Sequence, residues 1–553
     1  MGKSFQLARY NEYAGSPDFV TTDINNIKKV TIADINRVYN KYIKGKNYIM
    51  TSFVPKGQLD LIVENSEKAT IKEEQIVPNT QAAVVQGEGD NVYEKTPSKI
   101  DRSIEPGLGA APLLNPPTIW TNTLANGMGI YGIEFNELPL VNFSITIKGG
   151  HMLDDPNKIG VAYMLTDIMM EGTKNKTPEE LEDAIGQLGA NINMFTSNDR
   201  ITISANCLKR NYDKTLDLVT EILFEPRWDE KEFEIIKSKT INDIRRRSSS
   251  PNAIGNDVMS KALYGDNILA TPSIGTVESV SSITLDDMKA FYKKNFSPKV
   301  SNFHVAGNIT KDEAKSSISK LTEWTGEDVT MPTLEFPEVP SEPVVYFVDV
   351  PNAKQSYIAI SRLTVDSKSD SYYPILVANY KLGSGTGGKL FQILREEKQY
   401  TYGASSFVSR GIQMGRWTAA SSVKTNVTKE AMDTFKEIIS SYGADYTNEQ
   451  LESTKNALVK QNTRRYETSG ALLGLLQTIS NNDLPLDYID REQQQLQNMT
   501  VEDVKGLVNE YMNLENMYYV VVGDKATQFE RLKVDGPGDP IEVDKKGNPV
   551  PAL

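Results

Sequence analysis

The residues best able to do chemistry in this 553-residue chain fall in two places. The first is the apolar run 161–170, Val-Ala-Tyr-Met-Leu-Thr-Asp-Ile-Met-Met, framed by Gly149-Gly150, Gly160 and Gly172-Thr173. On a helix, Tyr163, Thr166 and Asp167 share one face. Histidines at the outer two of these positions, with glutamate between them, would bind Zn²⁺ and activate its water. Here a neutral phenol replaces one ligand, and a threonine, unable to take a proton from water near neutral pH, replaces the base. As they stand, the three positions supply neither a histidine ligand nor a base, and no metal ligand is assigned in this chain. Tyr163, Met164, Met169 and Met170 are expected to pack as core. The second place is Arg395 with Tyr402, downstream of the glycine-rich run Gly383 to Gly388. A guanidinium can donate to a substrate carbonyl, and a phenol can stabilise the oxyanion formed when water attacks. Without further context, such a pair is usually a solvated charge and a packed ring.

The remaining candidates are weaker. Gly388-Lys389 is followed by Leu390, so the glycine-rich run lacks the ending of a phosphate-binding loop. His151 and His304 are the only histidines, and they read most simply as one turn histidine and one strand histidine. Cys207 is the only cysteine, which excludes an internal disulfide and a cysteine-based zinc cluster. Arg245, Arg246 and Arg247 read as a charged helix end. The net charge of −13 argues against nucleic acid or an anionic membrane as the main partner and is compatible with basic peptides. The first residues carry no apolar signal core, and no apolar run is long enough to span a bilayer.

The elements that must hold these residues repeat. Thr31 to Asp34, Thr284 to Asp287 and Thr500 to Asp503 each open an amphipathic helix with a capping box. A strand-like apolar segment follows in each case: Tyr48–Val54, Asn302–Gly307 and Tyr518–Gly523. The wide spacing of these units indicates duplicated domains rather than a solenoid. The last two units close full domains that share the order strand, helix, glycine turn, helix, strand and long helices. The first unit has no such domain before it. A polar stretch rich in Pro, Gly and Gln follows it, a proline-rich linker spans Met331 to Pro343, and the tail from Val534 is expected to be extended or without fixed structure.

The combination Asn126-Gly127, Gly149-Gly150, Gly160, the 161–170 helix, Gly172-Thr173 and Gly189-Ala190-Asn191 resembles a domain of the pitrilysin/insulinase (M16) family of zinc metallopeptidases. The resemblance implies an α+β fold of tandem sandwich domains of the LuxS/MPP-like metallohydrolase type. It divides the chain into an incomplete domain (1–66), a linker (67–116), a domain with the degenerate zinc motif (117–332), a C-terminal domain (333–534) and a tail (535–553). In the family, His-x-x-Glu-His occupies the positions of Tyr163, Thr166 and Asp167, and a later carboxylate completes the zinc site. Asp243 falls near that later position. Arg395 and Tyr402 match the family's Arg and Tyr that face another domain's zinc across a closed chamber. The implied function is a non-catalytic C-terminal half of a metalloendopeptidase, inactive alone, that encloses peptide substrate and supplies Arg395 and Tyr402 in trans. The implied partner is a His-x-x-Glu-His-bearing N-terminal half or subunit, as in a heterodimer, which would carry the zinc. Some family relatives are structural subunits, so a scaffold or peptide-binding subunit without proteolysis is the alternative. A bacterial periplasm or cell envelope is favoured over cytoplasm.

Overall fold

The computed structural model describes residues 2–55, 57–67, 70, 98–101, 104, 115–411, 413–534 and 536–551. The linker expected over 67–116 therefore lies largely outside the described residues. Two compact units emerge, Met1–Glu105 and Pro106–Leu553.

All three capping boxes form. In each, the threonine hydroxyl accepts from the backbone N–H of the aspartate three residues on, and that aspartate accepts from the threonine's own N–H. Two orphan donors at each helix start are thereby satisfied. Among its described residues, the first unit holds three α-helices, Lys3–Ala14, Phe19–Lys29 and Ile32–Tyr42, none with a buried residue. The strand expected over Tyr48–Val54 does not form; Ile49 and Phe53 are fully exposed. The physical reason is the missing ladder, since a strand needs a neighbour to accept its backbone hydrogen bonds.

The second unit contains two six-stranded sheets. The first comprises β1 (Trp120–Thr123), β2 (Gly129–Glu134), β3 (Leu140–Lys148), β4 (Asn191–Thr196), β5 (Arg200–Leu208) and β6 (Ser301–Gly307), in spatial order β1-β2-β6-β3-β5-β4. The second comprises β7 (Val344–Asp349), β8 (Gln355–Leu363), β9 (Thr401–Ser409), β10 (Arg416–Lys424), β11 (Tyr518–Gly523) and β12 (Pro540–Val543), in order β12-β7-β11-β8-β10-β9. Five positions correspond one to one. In both sheets the strand that follows the capping-box helix is central, parallel to one neighbour and antiparallel to the other. The remaining edge differs. β1 comes from the start of its domain and runs antiparallel, whereas β12 comes from the tail and runs parallel to β7. The tail is thus a strand, because β7 leaves an open edge that apolar Val543 can cover.

Each sheet packs helices on one face over a large core. The opposite faces are covered by exchange. Helix Pro251–Tyr264, from the first half, lays Ile254, Val258, Met259 and Leu263 on β8 and β11. Helix Ser469–Asn481, from the second half, lays Leu472, Leu476 and Ile479 on β2, β3 and β6. His304 on β6 lies in this second contact, fully buried, with Nδ1 3.2 Å from Ser144 Oγ and Nε2 2.6 Å from Ser480 Oγ.

Candidate functional site

Helix Val161–Met170 is placed by two residues upstream of it. The buried Asp154 carboxylate accepts from Gly160 N–H (3.2 Å) and Ala162 N–H (2.8 Å), which caps the helix start. His151 sits on a short turn, its Nδ1 3.1 Å from Asp154, while its Nε2–H donates to the carbonyls of Ile268 and Thr271 at 3.0 Å. His151 is therefore an internal brace, and it shares no partner with His304. Gly150 is required beside it: φ is +50°, and a Cβ would lie 2.5 Å from Ser197 O.

The inner face of the helix buries Val161, Met164, Leu165, Ile168 and Met169 in the core; Tyr163 and Met170 are partly buried against it. Tyr163 and Asp167 turn towards helix Glu230–Arg247. Asp167 lies 3.8 Å from Lys239 Nζ, and Asp243 pairs with Arg246 at 2.9 Å. Burial raises the Asp167 carboxyl, opposed by Lys239 and reinforced by the Asp243 charge. Burial also raises the Tyr163 phenol, as do the charges of Asp167 and Asp243. Asp243 lies on this facing helix. Thr166 is buried and donates its hydroxyl to Tyr163 O at 2.8 Å. A zinc ion does not fit this set: a phenol held protonated, a hydroxyl committed to the backbone and a carboxylate already facing an ammonium make a poor donor group.

Arg395 and Tyr402 are brought together. Helix Lys389–Phe391 passes into a π-turn, Gln392–Glu397, with Leu390 and Leu394 fully buried beneath it. Lys398 N–H donates to Ile393 O, five residues back, and Tyr400 N–H to Leu394 O. The wide turn lets the chain reverse directly into β9, whose second residue is Tyr402. Arg395 Cζ stands 5.7 Å from the Tyr402 ring centroid. Tyr402 is 83% exposed, so the ring does not pack into the core. π-turns of this kind recur at functional sites. β9 is an edge strand, paired only with β10. The close approach of helix Tyr372–Gly383 to β9 depends on Gly383, where a Cβ would lie 2.0 Å from Ser406 Oγ. Asn379 pins the same contact, donating to Ser406 O (2.9 Å) and accepting from Trp417 Nε1 (2.7 Å).

Asp154 and Asn379 escaped the sequence reading. The only local signal for Asp154 is its place shortly before Gly160 and an apolar helix. Nothing near Asn379 in sequence announces a partner on another strand.

Two family models match in succession. The insulinase, or peptidase family M16, model covers residues 136–277, and the peptidase M16 inactive domain model covers 282–458. Together they span more than half of the chain. The chain belongs to the M16 peptidase family.

Among curated relatives, an uncharacterized zinc protease, YmxG of Bacillus subtilis, is 25% identical over 61% of this chain and 81% of its own length. A non-peptidase homolog, YmxG of Helicobacter pylori, is 20% identical over 71% of this chain and 91% of its own. Among solved structures, a peptidase M16 inactive domain from Pseudomonas fluorescens matches 73% of this chain and 98% of its own, with TM-score 0.69 and 22% identity. A protease from Helicobacter pylori matches 74% and 100%, with TM-score 0.68 and 20% identity. These structures share the M16 fold with the chain. Among the described residues, no helix is long and apolar enough to cross a membrane.

Proposed function

We propose that this M16 protein is a non-catalytic component of a metalloendopeptidase. It forms part of a peptide-enclosing wall and presents Arg395 and Tyr402 to a zinc site carried by a companion M16 domain. The observation that carries this reading is the 5.7 Å Arg395–Tyr402 pair, in which a part-exposed guanidinium on the π-turn stands by an exposed phenol on an edge strand, above the buried Leu390 and Leu394. The degenerate 163–167 face supports the division of labour, since it offers neither a zinc donor set nor a base. Substrates would be peptides or unfolded segments, held partly by pairing with a strand edge. In that setting Arg395 donates to the substrate carbonyl, and the Tyr402 phenol stabilises the oxyanion.

The test mixes the purified chain with an M16 protein bearing His-x-x-Glu-His and follows cleavage of a quenched fluorescent peptide. Removing one oxyanion donor costs about 10²–10³ in kcat, so Arg395→Ala and Tyr402→Phe should each lower turnover on that scale. Cleavage in the mixture that is indifferent to both changes would refute the assignment. It would favour the second reading, a pseudo-peptidase scaffold, to which the name of the Helicobacter pylori relative lends support.

A further inference from the structure

Two cavities lie end to end beside β9. One, about 560 Å³, is lined by the Ser384–Gly387 loop, Tyr380 and residues Ser406 to Val408. The other, about 680 Å³, is lined by Tyr372, Tyr373, Arg410, Arg464, Arg465 and Glu492. Leu376, Leu458 and Gln461 border both, so the two form one groove. We propose that this groove binds an extended peptide and that its far end, at Arg410, Arg464 and Arg465, receives a carboxylate of that peptide.

The far end is built for an anion. Arg410 is fixed on three sides: its guanidinium stacks 3.9 Å from the Tyr372 ring centroid, donates to Ser367 O at 3.1 Å and pairs with Glu492 at 3.1 Å. Arg465 reaches the same Glu492 at 3.8 Å. Two guanidiniums thus share one carboxylate, and Arg464 adds a third on the rim. This is a concentrated positive site in a chain of net charge −13. Guanidinium forks recognise carboxylates bidentately, and flanking aromatic rings keep water from screening them. Ser367 Oγ, 2% exposed, has no hydrogen-bond partner among the described residues. It lines a recess of about 100 Å³ that also borders Tyr372, Arg410 and Glu492, which leaves a polar group there to be satisfied. The near end is lined by the Ser384–Gly387 loop and, beside Leu458, by the Gln461–Tyr380 pair, in which Gln461 Nε2 donates to the phenol oxygen at 3.0 Å.

The geometry also sets a length. Ser409 ends β9 seven residues after Tyr402, roughly 23 Å along a strand. A peptide anchored at the arginines therefore reaches Tyr402 with about seven extended residues. The proposal rests on the peptide-enclosing reading above, but binding to the groove needs no companion chain.

The experiment measures fluorescence anisotropy of labelled peptides of about twelve residues on the full chain alone. One alanine-threonine peptide ends in a free carboxylate, a second is its amide, and a third is the amide with one internal glutamate. The expected result is binding of the first or the third at least about tenfold tighter than the plain amide. Preference for the first identifies a terminal carboxylate, and preference for the third an acidic side chain. The exposed Arg464→Glu and the partly paired Arg465→Gln should each remove that preference, and circular dichroism should show an unchanged fold for Arg464→Glu. Equal binding of all three peptides, or a preference that survives both substitutions, overturns the proposal. If the preference holds but Arg395→Ala leaves cleavage in the mixture untouched, the groove stands and the catalytic pairing falls. The reverse pattern removes the groove alone.

Discussion

Replacing His304 tests whether the exchanged helix is held by a neutral imidazole. The ring is fully buried between β6 and helix Ser469–Asn481, and burial drives its pKa from 6.5 down to about 3. In the folded protein it takes no proton until the pH nears that value, whereas in the unfolded chain it takes one below about 6.5. The unfolded state therefore binds more protons across this window. Stability from His304 is complete above pH 6.5 and is lost as the pH falls towards 3. Each unit is worth about 1.4 kcal/mol, so at pH 4.5 the loss from this one group is about 3 kcal/mol. Other groups titrate in the same range, and the comparison must be differential. Urea unfolding of the wild type and His304→Gln, at pH 7 and pH 4.5, isolates it. Glutamine keeps a donor and an acceptor for Ser144 and Ser480 but cannot be protonated. The wild type should lose about 3 kcal/mol more than the variant, and amide exchange over residues 469–481 should accelerate in the wild type alone. Equal losses in the two proteins would refute the argument.

Three further outcomes follow from the site. Asp154→Ala leaves two helix-capping amides and His151 without their acceptor, and should cost about 3–5 kcal/mol in urea unfolding; a cost under 1 kcal/mol would mean that the helix start is held by other contacts. Gly383→Ala puts a methyl group into Ser406, and should cost about 1–3 kcal/mol while weakening any function that depends on Tyr402; a variant as stable as the wild type would show that the contact relaxes. The chain loaded with zinc and desalted should retain well under one equivalent by mass spectrometry, and stoichiometric retention would contradict the donor set described for Tyr163, Thr166 and Asp167.

What the sequence discloses here is set by how local each cause is. The capping boxes at Thr31, Thr284 and Thr500 are contained within four residues, so all three were visible and all three form. The Arg395–Tyr402 spacing was visible for the same reason, although the π-turn that brings the two side chains together was not: nothing in Gln-Ile-Leu-Arg-Glu-Glu distinguishes a π-turn from an α-turn. The segment Tyr48–Val54 reads as a strand because its pattern matches two segments that are strands, yet pairing is supplied by neighbours and not by pattern. β12 is the converse case. Its Gly- and Pro-rich surroundings left open whether the tail would be extended or without fixed structure, and the open edge of β7 decides for an extended strand over Pro540–Val543. The helix exchange was invisible, because Leu472 and Val258 are ordinary core positions whichever sheet they cover.

The placement of helix Val161–Met170 rests mainly on residues other than Tyr163, Thr166 and Asp167. Its inner face (Val161, Met164, Leu165, Ile168 and Met169) is buried against β4 and the surrounding helices, and burial of that size dominates the local stability. Its start is fixed by Asp154, which lies outside the motif. Tyr163 packs only partly against that core and Thr166 is buried, but neither they nor Asp167 fix the helix start. The face towards helix Glu230–Arg247 can therefore carry a phenol, a hydroxyl and a lysine-paired carboxylate while the helix is held by its inner face and its cap. The same separation holds at the other pair. Gly383, Asn379, Leu390 and Leu394 set the turn and the strand, while Arg395 and Tyr402 bear none of that packing. Substituting the supporting residues should change stability first and function as a consequence, whereas Tyr402→Phe should change function with stability intact. A Tyr402→Phe protein that unfolds earlier than the wild type would show that the ring is structural and would remove the physical ground for assigning it chemistry.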